Sequence, residues 1–127
     1  MRIAHTALWT CDIEAAASFW TEYFGASVGE PYRSQRRAGF ISRLVHLPGG
    51  IDQIELMTGP WISADAYRER AGWDHIAISL GDKAAVDALA ARCRRDGCLQ
   101  SGPRVTGDGF YEAVITMLDG TQIEITI

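Results

Sequence analysis

The chain has 127 residues, 47% of them hydrophobic, which is enough for the core of one ordinary domain that folds alone. Its formal net charge of −4 opposes sequence-independent nucleic-acid binding, which needs a net or striped basic surface. The opening MRIAHTALWT lacks a basic segment followed by a signal-length apolar stretch, and no apolar run is long enough to span a bilayer. No membrane partner is therefore expected, and a cytoplasmic location is the default.

Residues 3–10 (IAHTALWT) are rich in strand formers. Asp12 then stands as N-cap to a helical pattern in which Ile13, Ala16, Ala17, Trp20 and Phe24 recur at helical spacing, and Gly25 supplies the stop. Three shorter extended runs follow at about 26–34, 39–47 and 52–58, with Gly49-Gly50 as a hairpin turn between the last two. This makes one βαβββ passage over about 1–58. The stretch of about 59–72 (GPWISADAYRERAG) reads as a linker with room for a short helical turn.

A second passage, about 73–127, opens with WDHIAISL. Asp82 caps a helix whose apolar face is Val86, Leu89, Ala90 and Cys93, and Gly97 ends it. Runs near 98–105, 110–117 and 121–127 repeat the three strands, with Asp119-Gly120 as the tight turn. The expected fold class is α+β, a single domain over 1–127 built from two βαβββ modules with curved mixed sheets. Cys11, Cys93 and Cys98 are odd in number and lack paired spacing, so they read as free thiols.

The repeat carries chemistry. His5 and His75 are 70 residues apart, Glu55 and Glu124 are 69 apart, and all four lie in strand-like runs. Alternation along a strand groups Ile3, His5, Ala7 and Trp9; Gln53, Glu55 and Met57; Trp73, His75, Ala77 and Ser79; and Gln122, Glu124 and Thr126. The opposite faces hold Ile54, Leu56, Ile76, Ile78, Leu80, Ile123, Ile125 and Ile127, an apolar bed for helices. The ionisable set therefore faces away from the helices. A lone strand histidine is usually a satisfied core or surface residue, and a glutamate between isoleucines commonly faces solvent. It is the coincidence of four such residues at matching places that points to a metal site. Two imidazoles and two carboxylates suit one borderline divalent ion, nickel, cobalt, zinc, manganese or iron, with coordination positions left open. His46 has no glutamate partner at the repeat interval and is assigned no chemistry.

These residues carry a family likeness. The opening IAHTALWTCDIEAAASFWTEYFGA, the central IELM and WDHIAISL, and the ending LDGTQIEI resemble the vicinal oxygen chelate superfamily, and within it glyoxalase I-like and bleomycin-resistance-like single-domain proteins. The resemblance implies paired modules closing around one metal, a homodimer, and a small-molecule substrate. His5, Glu55, His75 and Glu124 match the His/Glu/His/Glu pattern of bacterial glyoxalase I, a lyase acting on the hemithioacetal of methylglyoxal and glutathione. By the same resemblance a metal-side glutamate shuttles the proton, Glu124 ahead of Glu55. Trp9 and Thr58-Gly59 stand where that enzyme has glutathione-holding arginine and asparagine, so glutathione itself is not implied.

The remaining substrate candidates are Trp9 and Phe110 as an apolar wall, Glu112 as a third carboxylate if its strand faces inward, and Arg43 toward an anionic substrate. Aromatic strand residues are more often core, Glu112 reads equally as solvent-facing, and the run RSQRR reads better as a solvated hairpin tip. The alternatives to a lyase or isomerase are a metal-dependent epimerase, a dioxygenase, or a metal-free drug- or metabolite-binding protein of the bleomycin-resistance type.

Overall fold

The computed structural model describes residues 3–50, 53–63, 72–107 and 109–127. Its contacts divide the chain into two units, Met1–Asp65 and Ala66–Ile127, with the boundary inside the stretch read as a linker. The short helical turn expected there lies outside the described residues.

The first unit runs β1 (His5–Trp9), α1 (Ile13–Phe24), β2 (Ser27–Val28), β3 (Tyr32–Arg33), β4 (Ile41–His46) and β5 (Gln53–Thr58). The Asp12 side chain accepts from the amides of Glu14 at 3.1 Å and Ala15 at 3.0 Å, satisfying donors that have no partner inside the helix. Gly25 ends α1 in the left-handed conformation, φ 62°, which is cheap only for a residue without a β-carbon. Ile13, Ala16, Ala17, Phe19 and Trp20 are the buried face of α1. Phe24 is only half-buried, and Phe19 takes its expected place in the core.

The sheet order is β1-β5-β4-β2, with β3 also on β4. First and last strands pair in parallel, and β4 runs antiparallel to β5. The expected extended run 26–34 is broken into two short pieces on either side of Gly29-Glu30-Pro31. Pro31 has no N–H to give a ladder, and the chain is tied instead by Gly29 N–H to Leu44 O at 2.8 Å.

The second unit runs β6 (His75–Ser79), α2 (Lys83–Asp96), β7 (Leu99–Val105), β8 (Tyr111–Thr116) and β9 (Gln122–Thr126), in sheet order β6-β9-β8-β7. Asp82 caps α2 through Ala85 N–H at 2.8 Å. At the other end Cys98 N–H reaches Cys93 O at 2.9 Å around left-handed Gly97. Lys83 Nζ bonds Asp87 at 2.8 Å and the Tyr111 hydroxyl at 3.0 Å, and that hydroxyl donates to Asp87, pinning α2 to β8. Hydrogen bonding to Asp87 holds the Lys83 ammonium above its ordinary pKa, and the same bond holds the Asp87 carboxyl below its own.

Each unit has its core between helix and sheet. Val45, Leu56 and Trp20 are fully buried in the first, and Val86, Cys93, Ala113, Ile115, Ile123 and Ile125 in the second. Burial, reinforced by a hydrogen bond with Cys98, pushes the Cys93 thiol up to about 12, so it is a protonated packing group at neutral pH. Of the expected helix-facing set, Ile76, Ile78 and Leu80 are half-buried, and Ile127, beyond the last strand, is 49% exposed. No helix among the described residues is long and apolar enough to cross a membrane.

Candidate metal centre

Register brings histidine and glutamate together in the same way in both units. In the first, His5 lies opposite Gln53 and Ala7 opposite Glu55, so the imidazole and carboxylate are diagonal neighbours on one face. In the second, His75 lies opposite Gln122 and Ala77 opposite Glu124. The diagonal is reproduced at the atoms: His5 Nε2 is 3.7 Å from Glu55 Oε2, and His75 Nε2 is 3.4 Å from Glu124 Oε2. Both histidines sit on the edge strand of their sheet and both glutamates on its inner neighbour. The histidine side chains are 50% and 39% exposed and the glutamates 25% and 16%, so each carboxylate is the deeper member.

These distances are too long for a good N–H···O bond, which closes at about 2.7–3.2 Å. They are near the separation of two neighbouring ligands on one ion, about 3.0–3.5 Å when each bond is about 2.0–2.2 Å. In the second unit the imidazole has a further carboxylate neighbour. His75 Nδ1 is 2.8 Å from Asp74 Oδ2, a contact in which Nδ1–H donates to the carboxylate, while Nε2 faces the Glu124 carboxylate. The donor chemistry fits a divalent ion. The donors come as one pair per unit, and among the described residues no group of three or more His, Cys, Asp or Glu side chains is gathered.

The other expected site residues divide. Trp9 is on the His5 and Glu55 face, two positions beyond Ala7. Its ring packs edge-on against Phe40 at 6.1 Å and Trp61 at 6.4 Å, and the Arg37 guanidinium lies over Trp61 at 3.9 Å, Trp9 at 5.6 Å and Phe40 at 5.8 Å. Glu112 shares the His75 and Glu124 face, because Val114 pairs with Glu124 and Glu112 with Thr126. It is 8% exposed and held by Arg104 at 3.1 Å, rather than facing open solvent. Phe110 precedes β8 in an exposed turn, where its carbonyl accepts from Thr106 N–H at 2.9 Å.

Arg43 is a correction. It is adjacent in sequence to Leu44, which pairs with Glu55, so it points to the opposite, helix-covered face. There it bonds Glu14 of α1 at 2.6 Å and the Gly29 carbonyl at 2.9 Å. It does not share the His5 and Glu55 face.

A family model for the glyoxalase/bleomycin resistance protein/dioxygenase superfamily matches residues 2–125. The chain belongs to that superfamily. Solved structures agree in fold. A glyoxylase/bleomycin resistance protein/dioxygenase domain from Frankia sp. EAN1pec superposes with TM-score 0.79 at 20% identity, covering 100% of this chain and 97% of that one. The trypanothione-dependent glyoxalase I of Leishmania major gives 0.76 at 22% identity, over 99% and 86%. A fosfomycin resistance protein from Listeria monocytogenes gives 0.74 at 17%, over 98% and 91%. No curated protein matches the chain.

Within this superfamily member, five positions had been given no role from the sequence: Asp74, Gln53, Gln122, His46 and Arg37. Asp74 stood visibly beside His75 in WDHIAISL. Gln53 and Gln122 are 69 residues apart and occupy the same place beside each histidine, a regularity the glutamate spacing already contained. His46 pairs with Gln53 and so shares the His5 row, which only the strand register discloses. Arg37 belongs to the run read as a solvated tip, and its stacking partner Trp61 lies in the stretch read as a linker.

Proposed function

We propose that the chain is a divalent-metal-dependent lyase or isomerase of the glyoxalase type, acting on a small molecule that presents two vicinal oxygens. The observation that carries this reading is the same His–Glu diagonal in each unit, both pairs facing away from the helices. His5, Glu55, His75 and Glu124 would hold one ion: nickel, cobalt, zinc, manganese or iron. Bound there, the ion supplies Lewis-acid stabilisation of an enediolate.

The chain's own groups do the rest. Glu124, the less exposed of the two carboxylates, takes a proton from carbon at a side-chain oxygen and returns it to the neighbouring carbon, with Glu55 as the other candidate. Trp9, with Phe40 and Trp61, forms an apolar wall that orients the substrate and excludes water; Phe110 is the corresponding candidate in the second unit, and Glu112 is a third carboxylate on the Glu124 face. We place the protein in the cytoplasm as a homodimer. Ile3, Trp73 and Leu118 are individually 71%, 89% and 94% accessible, large apolar side chains of the kind a second copy would cover.

Elemental mass spectrometry of the untagged protein tests the reading. Near-stoichiometric metal is expected, with loss in Glu55→Ala and in His75→Ala. Hemithioacetals and compounds with a proton beside a carbonyl are then screened with the bound ion.

One observation favours a second reading. Trp9 and Trp61, each 41% exposed, cluster with half-buried Phe40, the kind of surface on which a planar drug or metabolite stacks without metal. Protein that takes up no added divalent ion yet quenches its tryptophan emission with an aromatic ligand would favour it.

A further inference from the structure

Repeat symmetry makes the two histidines equivalent in backbone position, yet only one of them follows an acidic residue. The position ahead of His75 is Asp74; the position ahead of His5 is Ala4. Asp74 Oδ2 lies 2.8 Å from His75 Nδ1, whereas the only side-chain partner of His5 among the described residues is Glu55. We propose that Asp74 is a positioning residue that presets His75, and not His5, as the first anchor for the divalent ion. The inference rests on the metal-dependent reading above.

Asp74 acts on the tautomer and the rotation of the His75 ring. A carboxylate can only accept, so its contact fixes the proton on Nδ1 and leaves Nε2 free to ligate. A free imidazole samples both tautomers and turns about its ring bond, and both freedoms are lost when an ion binds. For His75 the ring is already held, with Nε2 toward Glu124 at 3.4 Å. Among the described residues His5 has no such hold, and its wider 3.7 Å approach to Glu55 has still to close. The second unit therefore presents the better prepared half of the donor set.

Asp74 is 61% exposed, so its truncation leaves the core intact. Zinc and cobalt affinities are measured at one fixed neutral pH by competition with a chromophoric chelator, for wild type, Asp74→Ala and Asp74→Asn, together with the cobalt absorption spectrum and the thermal midpoint of the metal-free chains. Asp74→Ala is expected to weaken affinity by about 10- to 100-fold and to alter the cobalt spectrum, with the metal-free midpoint unchanged. Asp74→Asn recovers part of the loss, because its amide oxygen accepts the same N–H. Wild-type uptake with unchanged Asp74→Ala affinity overturns the positioning role alone. So does a loss that Asp74→Asn does not relieve. A wild-type chain that takes up no ion overturns the metal reading and, with it, this inference.

Discussion

A β-carbon placed on Gly59 would lie within 2.7 Å of three carbons of the Trp61 ring, closer than non-bonded carbons approach. Trp61 can fold back over the end of β1 only because that carbon is missing. Gly59→Ala should therefore displace Trp61 from the group it forms with Trp9, Phe40 and Arg37. We expect a loss of about 1–3 kcal/mol together with a shift in tryptophan emission. Gly102 is the sterner case. It has φ +88°, and an added carbon would meet Glu112 O at 2.8 Å and Ala113 Cα at 2.9 Å, backbone atoms that cannot swing aside. Gly102→Ala should cost about 3 kcal/mol or more, and each kcal/mol lowers the thermal midpoint of a chain this size by about 3–5 °C. Thermal denaturation of the two variants orders them; a Gly59→Ala midpoint below that of Gly102→Ala would contradict the steric argument.

Among the elements, the β7–β8 ladder carries the most consequential ion pair. Arg104 and Glu112 face each other across it, and Glu112 is almost wholly out of water. Arg104→Ala leaves that carboxylate without its cation and should destabilise by about 1–3 kcal/mol. Adding Glu112→Gln should recover part of the loss, which urea denaturation of the single and double variants would show. Both helices and the alternation of the strands were legible in the sequence, because caps, stop glycines and two-residue alternation are local signals. The split of the run 26–34 was not, since it depends on how Gly29 meets Leu44, fifteen positions away in the chain. Arg43 was misplaced for a related reason. Which face it occupies is set by the pairing of Leu44 with Glu55, and its partner Glu14 is 29 residues distant. The two His–Glu pairs were legible because the chain states them twice.

At the scale of the whole molecule, two units repeat one fold and one donor diagonal. An ion that binds only the folded chain stabilises it by mass action, about 2.7 kcal/mol when free metal is a hundredfold above its dissociation constant. Adding zinc or cobalt should raise the wild-type thermal midpoint by roughly 8–14 °C at that excess, reversibly with chelator. His75→Ala should show no such rise. An equal rise in that variant would mean the ion binds elsewhere.

The diagonal on each edge strand has a consequence for how these genes can change. Chemistry and core occupy opposite parities of the same short strand: His5, Ala7 and Trp9 on one side, Thr6 and Leu8 on the other, registered against Glu55 and Leu56. Inserting or deleting one residue in β1 or β6 exchanges the two sides, sending the imidazole inward and the leucine or isoleucine outward. Such strands can accept many substitutions yet almost no change of length, so indels in a lineage carrying this site should be confined to the turns and the segment joining the two units.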